Sequence, residues 1–150
     1  MKKLAYLCLL VSFLNSCSLA NSDTSIPNLE GQGFTPEFER TFREVYVKGP
    51  NFNSEDFVLT YPCGGGAICG SIYDSSRAEF VAFPDNFIGA SEVEKFRLKF
   101  SGSSNQICFW GQSAYTSQLH NNTCYGYENG YFNPFEPSTN SNLTEQSDTN

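Results

Sequence analysis

The chain has 150 residues, with 9 Lys and Arg against 16 Asp and Glu, a formal charge of −7. A protein that neutralises many phosphates is basic, so this balance disfavours nucleic acid and anionic membrane surfaces as partners and leaves a basic protein, a cation or a neutral glycan. One histidine and six cysteines narrow the metal and redox chemistry open to it.

Lys2 and Lys3 precede an apolar run from Leu4 to Leu14, and Asn15-Ser16-Cys17-Ser18-Leu19-Ala20 supplies small and polar residues. A charged start, a short apolar stretch and a cleavage zone form an export signal. The run is shorter than the roughly 20 residues that span a bilayer. Leu14-Asn15-Ser16-Cys17 resembles the lipobox of bacterial lipoproteins, with Asn15 where that family carries a small or apolar residue. The resemblance implies removal of 1–16, lipid on Cys17 and a tether to a membrane. Ordinary cleavage after Ala20, by the small-x-small rule, gives a 20-residue signal peptide and a freely secreted chain. Both readings place the mature chain outside the cytoplasm, in the periplasm, at the outer membrane or in the medium, where thiols oxidise. Without Lys2 and Lys3, 7 basic side chains face 16 acidic ones, a formal charge of −9.

Cys8 leaves with the leader, and Cys17 is either acylated or removed. Cys63, Cys69, Cys108 and Cys124 remain, an even set that predicts two disulfides. The local pairing Cys63–Cys69 and Cys108–Cys124 is preferred, and the other two connectivities stay open at this point. Residues 21–33 read as a flexible linker, 34–132 as a single globular domain and 133–150 as a polar tail. A domain of that size buries a limited core, so cross-links matter.

Thr35 followed by Pro36 predicts a capped helix start, and Phe38, Phe42, Val45 and Tyr46 recur at helical spacing until Gly49-Pro50. Short strands follow: Phe57–Tyr61, Ile68–Tyr73 and Glu79–Phe83, the last closed by Pro84-Asp85-Asn86. Phe96–Phe100 alternates apolar and cationic residues, one face buried and one wet. Gln106–Gly111 returns antiparallel after a turn. Cys124–Glu128 and Tyr131-Phe132 flank Asn129-Gly130, a hairpin signal. The predicted fold is α+β and mostly β: a small antiparallel sheet or sandwich with one N-terminal helix, stabilised by disulfides.

No metal or cofactor site is predicted. Asn51–Asp56 alternates oxygen ligands but lacks the glycine and terminal glutamate of a calcium loop, and reads as a turn. Gly64-Gly65-Gly66 inside the Cys63–Cys69 span reads as a tight loop, with amides able to form an anion nest. Gly111-Gln112-Ser113-Ala114-Tyr115 begins like a nucleophile elbow but lacks its closing glycine. Glu92-Val93-Glu94 resembles the paired glutamates of ADP-ribosylating toxins, without the other segments. His120 lies in a stretch that reads as an exposed loop. Trp110, Tyr125, Tyr127 and Tyr131 are candidates for a binding face, because an aromatic body with a polar end anchors sugars or proteins. The favoured function is a non-enzymatic, extracytoplasmic binding module, either an envelope lipoprotein or inhibitor-like protein. The alternative is a small secreted hydrolase, such as a ribonuclease, using His120 with a carboxylate. A structural coat component is a third reading.

Overall fold

A computed structural model describes residues 25–135. The export signal, Cys8, Cys17, the cleavage sites and residues 136–150 lie outside the described residues. The elements are α1 (Pro36–Tyr46), β1 (Phe57–Pro62), β2 (Ala67–Asp74), β3 (Glu79–Ala82), β4 (Phe87–Ile88), β5 (Arg97–Lys99), β6 (Gln106–Gln112), β7 (Leu119–Glu128) and β8 (Tyr131–Pro134).

The strands form two antiparallel sheets. One has the order β1-β2-β3, with β4 pairing the start of β2; the other has the order β5-β6-β7-β8. Val58, Ile72 and Phe83 of the first sheet meet Ile107, Phe109 and Tyr127 of the second in a shared core with Phe52 and Phe87. Helix α1 covers the other face of the first sheet. Phe38 and Phe42 pack there with Phe57, Leu59 and Tyr73. Neighbours in a strand point to opposite faces, so Phe57 and Leu59 serve the helix while Val58 serves the second sheet. This accounts for the unbroken apolar run that opens β1, in contrast to the alternation of a strand wet on one side.

Local chemistry sets the ends of these elements. The Thr35 hydroxyl accepts the Phe38 N–H at 3.2 Å, capping α1. Asn129 and Gly130 both take positive φ, 54° and 84°, and join β7 to β8 by a tight turn. The two disulfides are Cys63–Cys69, closing the β1–β2 hairpin, and Cys108–Cys124, linking directly opposed residues of β6 and β7. Both are the expected local pairs.

Three segments differ from the sequence reading. Leu29, within the expected linker, is 2 % exposed and packs in the helix-side core with Ile26 and Phe34 beside it, because the helix leaves apolar surface that this segment covers. The last strand runs on to Pro134, within the expected tail, since Tyr125 and Gly126 offer partners to Pro134 and Asn133. Leu119–Asn122, expected as an exposed loop, is the first half of β7. Asn122 is an extra residue there, at φ 59°, opposite the Phe109–Trp110 step of β6, and this bulge interrupts the alternation.

Two disulfides place the domain in an oxidising, extracytoplasmic environment. No described helix is long and apolar enough to cross a membrane.

Candidate functional site

Three connections gather at one end of the two sheets: the glycine loop between β1 and β2, the Pro84-Asp85-Asn86 turn and the β6–β7 turn. Asp85 organises them. Its Oδ1 accepts the Asn86 N–H at 2.7 Å and the Ser113 hydroxyl at 3.1 Å, and its Oδ2 lies 3.0 Å from His120 Nε2. Ser113 is fully buried, and its Oγ accepts the N–H groups of Tyr115 and Thr116 at 3.2 and 3.1 Å. Ala114 donates its N–H to the Asn86 carbonyl at 2.8 Å. Phe87 and the His120 ring pack edge to face, with centroids 5.2 Å apart. A loop of the first sheet is thus fastened to a strand and a turn of the second by part-buried polar groups that satisfy one another.

The same residue types occur in hydrolytic triads, but their order differs. A serine nucleophile needs histidine between it and the carboxylate. Here the carboxylate stands in the middle, and Ser113 gives its proton to Asp85 while receiving two amides. This arrangement holds loops in place and leaves Ser113 without a histidine partner.

Above the clasp, Tyr115 is 76 % exposed. Its hydroxyl accepts the Asn86 side-chain amide at 2.7 Å, which fixes the ring relative to the turn. Facing it is the Cys63–Cys69 loop. Gly64, Gly65 and Gly66 have φ of 96°, 60° and 79°, values that favour glycine, so the loop doubles back within three residues. Its carbonyls are occupied at both ends: Gly64 accepts the Ala67 N–H and Gly66 the Gly89 N–H, each at 2.9 Å. Between this loop and Tyr115 lies a groove of about 450 Å³.

The aromatic candidates do not share one surface. Trp110 is half-buried on the outer face of the second sheet, with the Arg97 guanidinium 5.3 Å from its ring centroid. Arg97 also pairs with Glu94 at 2.7 Å. Tyr125 and Tyr127 point the other way. Tyr125 packs on Phe109 and Phe132, and Tyr127 is buried with its hydroxyl donated to Asp74 Oδ2 at 2.9 Å. Burial, then the Asp74 hydrogen bond, pushes the Tyr127 phenol well above its ordinary range. Burial, and then the charge of Asp85, also raises that of Tyr125. Tyr131 is exposed beside the β7–β8 turn. His120 and Trp110, on adjacent register positions, project to opposite faces of the sheet. Arg97, paired with Glu94, therefore meets Trp110, while His120 is held by Asp85.

At the other end of the sheets, Glu55, Asp56, Asp74, Arg77 and Glu128 line a second cleft of about 410 Å³. Asp56 there is buried and accepts from Asn53 and Ser75. No group of three or more His, Cys, Asp or Glu is placed to hold a metal ion among the described residues.

The serine of the clasp carried a sequence signal, the incomplete elbow. Asp85, Asn86 and Tyr115 carried none beyond turn composition. No protein-family model, curated protein or solved structure matches the chain.

Proposed function

We propose that this protein is an extracytoplasmic binding module that meets its ligand at the loop end around Tyr115. One observation carries this reading: half-buried Asp85 and buried Ser113 and His120 are spent on fixing loops that present an exposed aromatic ring. Preorganised loops lose little entropy on binding, which favours recognition. The export signal and the oxidised cysteines support display outside the cytoplasm, by a lipid on Cys17 or as a free chain beginning after Ala20.

A second reading follows from the acidic cleft at Glu55, Asp74 and Glu128, which is complementary to a basic partner protein. Amide shift mapping of the mature protein separates the two. Neutral oligosaccharides and cationic peptides are titrated in turn. Shifts confined to residues 63–67, 85–86 and 113–116 support the loop end. Shifts at 53–56 and 128–129 that vanish in salt support the acidic cleft, and silence at both ends overturns the binding-module reading. Intact mass of native material reports acylation at Cys17 or a terminus at Asn21.

A further inference from the structure

We infer that the groove between Tyr115 and the Cys63–Cys69 loop is a subsite for a neutral oligosaccharide. This deepens, and rests on, the assignment of the loop end as the binding surface. The chain outside the leader carries 16 acidic against 7 basic side chains, yet no charged side chain lines this groove. An anionic polymer meets repulsion from the whole molecule with no local cation to offset it, and a cationic partner finds no carboxylate in the lining.

What the groove offers is suited to a polyhydroxylated, uncharged ring. The exposed face of Tyr115 provides an apolar platform for the C–H face of a sugar. The backbone N–H groups of Gly64 and Gly65 donate to no acceptor among the described residues, so they are available to sugar oxygens. With no side chains, these glycines let a ligand approach the backbone closely. The Asn86 amide, already donating to the Tyr115 hydroxyl, adds a carboxamide at the rim. The volume, about 450 Å³, falls within the range of roughly 300–1,000 Å³ of small-molecule clefts.

Both walls are fixed independently of any ligand. The disulfide and the Gly89-to-Gly66 hydrogen bond hold one. The Asn86–Tyr115 and Ala114–Asn86 bonds, backed by the Asp85 clasp, hold the other. A rigid aromatic beside fixed donors binds a weakly interacting ligand without first ordering the site.

The test is amide shift mapping of the mature, oxidised protein with cellohexaose, chitohexaose and mannohexaose. An oligogalacturonate and an oligolysine serve as charged controls. We expect at least one neutral oligosaccharide to shift Gly64, Gly65, Asn86 and Tyr115, and its binding to persist in about 0.5 M salt. Tyr115→Ala then weakens it about tenfold or more, while Tyr115→Phe, which keeps the ring, retains most of it. A neutral sugar that binds Tyr115→Ala as well as the parent, or that shifts Trp110 instead, overturns the inference. If only a charged control shifts the loop end, the sugar assignment fails and the binding surface stands. If no probe shifts it, both fail together.

Discussion

Tyr127 on β7 donates its hydroxyl to Asp74 on β2 at 2.9 Å, a buried side-chain hydrogen bond that joins the two sheets at the acidic end of the molecule. Asp74 is 4 % exposed, and its other oxygen accepts from the Ser76 hydroxyl and the Arg77 N–H. Tyr127→Phe removes one of three donors from a buried carboxylate while keeping the ring that packs on Phe52 and Phe132. Hydrogen bonds to charged groups contribute about 1.5–3 kcal/mol, so a loss of about 2 kcal/mol is expected in urea unfolding, with no change in the slope. An unchanged midpoint would show that water replaces the phenol without cost.

The same pair sets the pH dependence of stability. Burial opposes ionisation of Asp74, but the hydrogen bonds from Ser76, Tyr127 and Arg77, with the Arg77 charge, outweigh it and hold the carboxyl below its usual range. The folded state therefore binds this proton more weakly than the unfolded chain. Its stabilisation is complete above the unfolded value of about 3.9 and is lost as pH falls through the lower folded value. Tyr127 shifts upward, so its contribution is present below the unfolded value of about 10 and is lost as pH rises beyond it. Urea midpoints followed from neutral pH to acid should fall less steeply for Asp74→Asn than for the parent. Parallel acid limbs would assign the dependence to other carboxylates.

The helix, the paired cysteines and most strands were legible because their signals are local. Thr35-Pro36, Asn129-Gly130 and the alternation around Arg97–Lys99 each act over a few residues. The site was less legible because its members are joined across the fold. Ser113 and His120 stand 28 and 35 positions from Asp85, and no pattern of spacing links them. Strand β4 is two residues long and exists because Phe87 and Ile88 meet Ile68 and Ala67. A tyrosine reads as an amphipathic surface residue until a partner for its hydroxyl is known, and for Tyr127 that partner lies 53 positions away.

The two disulfides differ in what they contribute. Loop-closure entropy gives about 3 kcal/mol for the 16-residue separation of Cys108–Cys124 and about 2 kcal/mol for the 6-residue separation of Cys63–Cys69. Replacing Cys108 and Cys124 by serine should lower the urea midpoint more than replacing Cys63 and Cys69. The second pair should instead speed amide exchange at Gly89, whose N–H donates to the Gly66 carbonyl and ties the glycine loop to the chain after β4. The reverse order of stability would show that the glycine loop, exposed as it is, is coupled to the core.

Asp85→Ala leaves the buried Ser113 hydroxyl and His120 Nε2 without their acceptor. Each unsatisfied buried group costs about 1–3 kcal/mol, so a total of about 2–6 kcal/mol is expected. The damage should be local before it is global. Amide exchange at Ala114, whose N–H reaches the Asn86 carbonyl, should accelerate at denaturant concentrations where Ile107 in the core stays protected. Equal acceleration at both positions would make the clasp part of the global unfolding unit.

Two glycines in central strands separate packing from chain entropy. A Cβ on Gly70 would overlap the Phe83 ring, which crosses the strand at that point, while the Phe83 N–H binds the Gly70 carbonyl at 2.9 Å. A Cβ on Gly126 meets nothing within 4 Å. Gly70→Ala therefore forces the ring out of the inter-sheet core, at a cost of about 3 kcal/mol or more, since overpacking alone costs about 1–3 kcal/mol. Gly126→Ala restricts the unfolded chain without a clash and should stabilise by up to about 1 kcal/mol. If the Gly70 effect is contact with Phe83, adding Phe83→Leu should make Gly70→Ala less costly than it is in the parent, a coupling that a double-mutant cycle measures directly. Additive effects would place the cost in the β2 backbone instead.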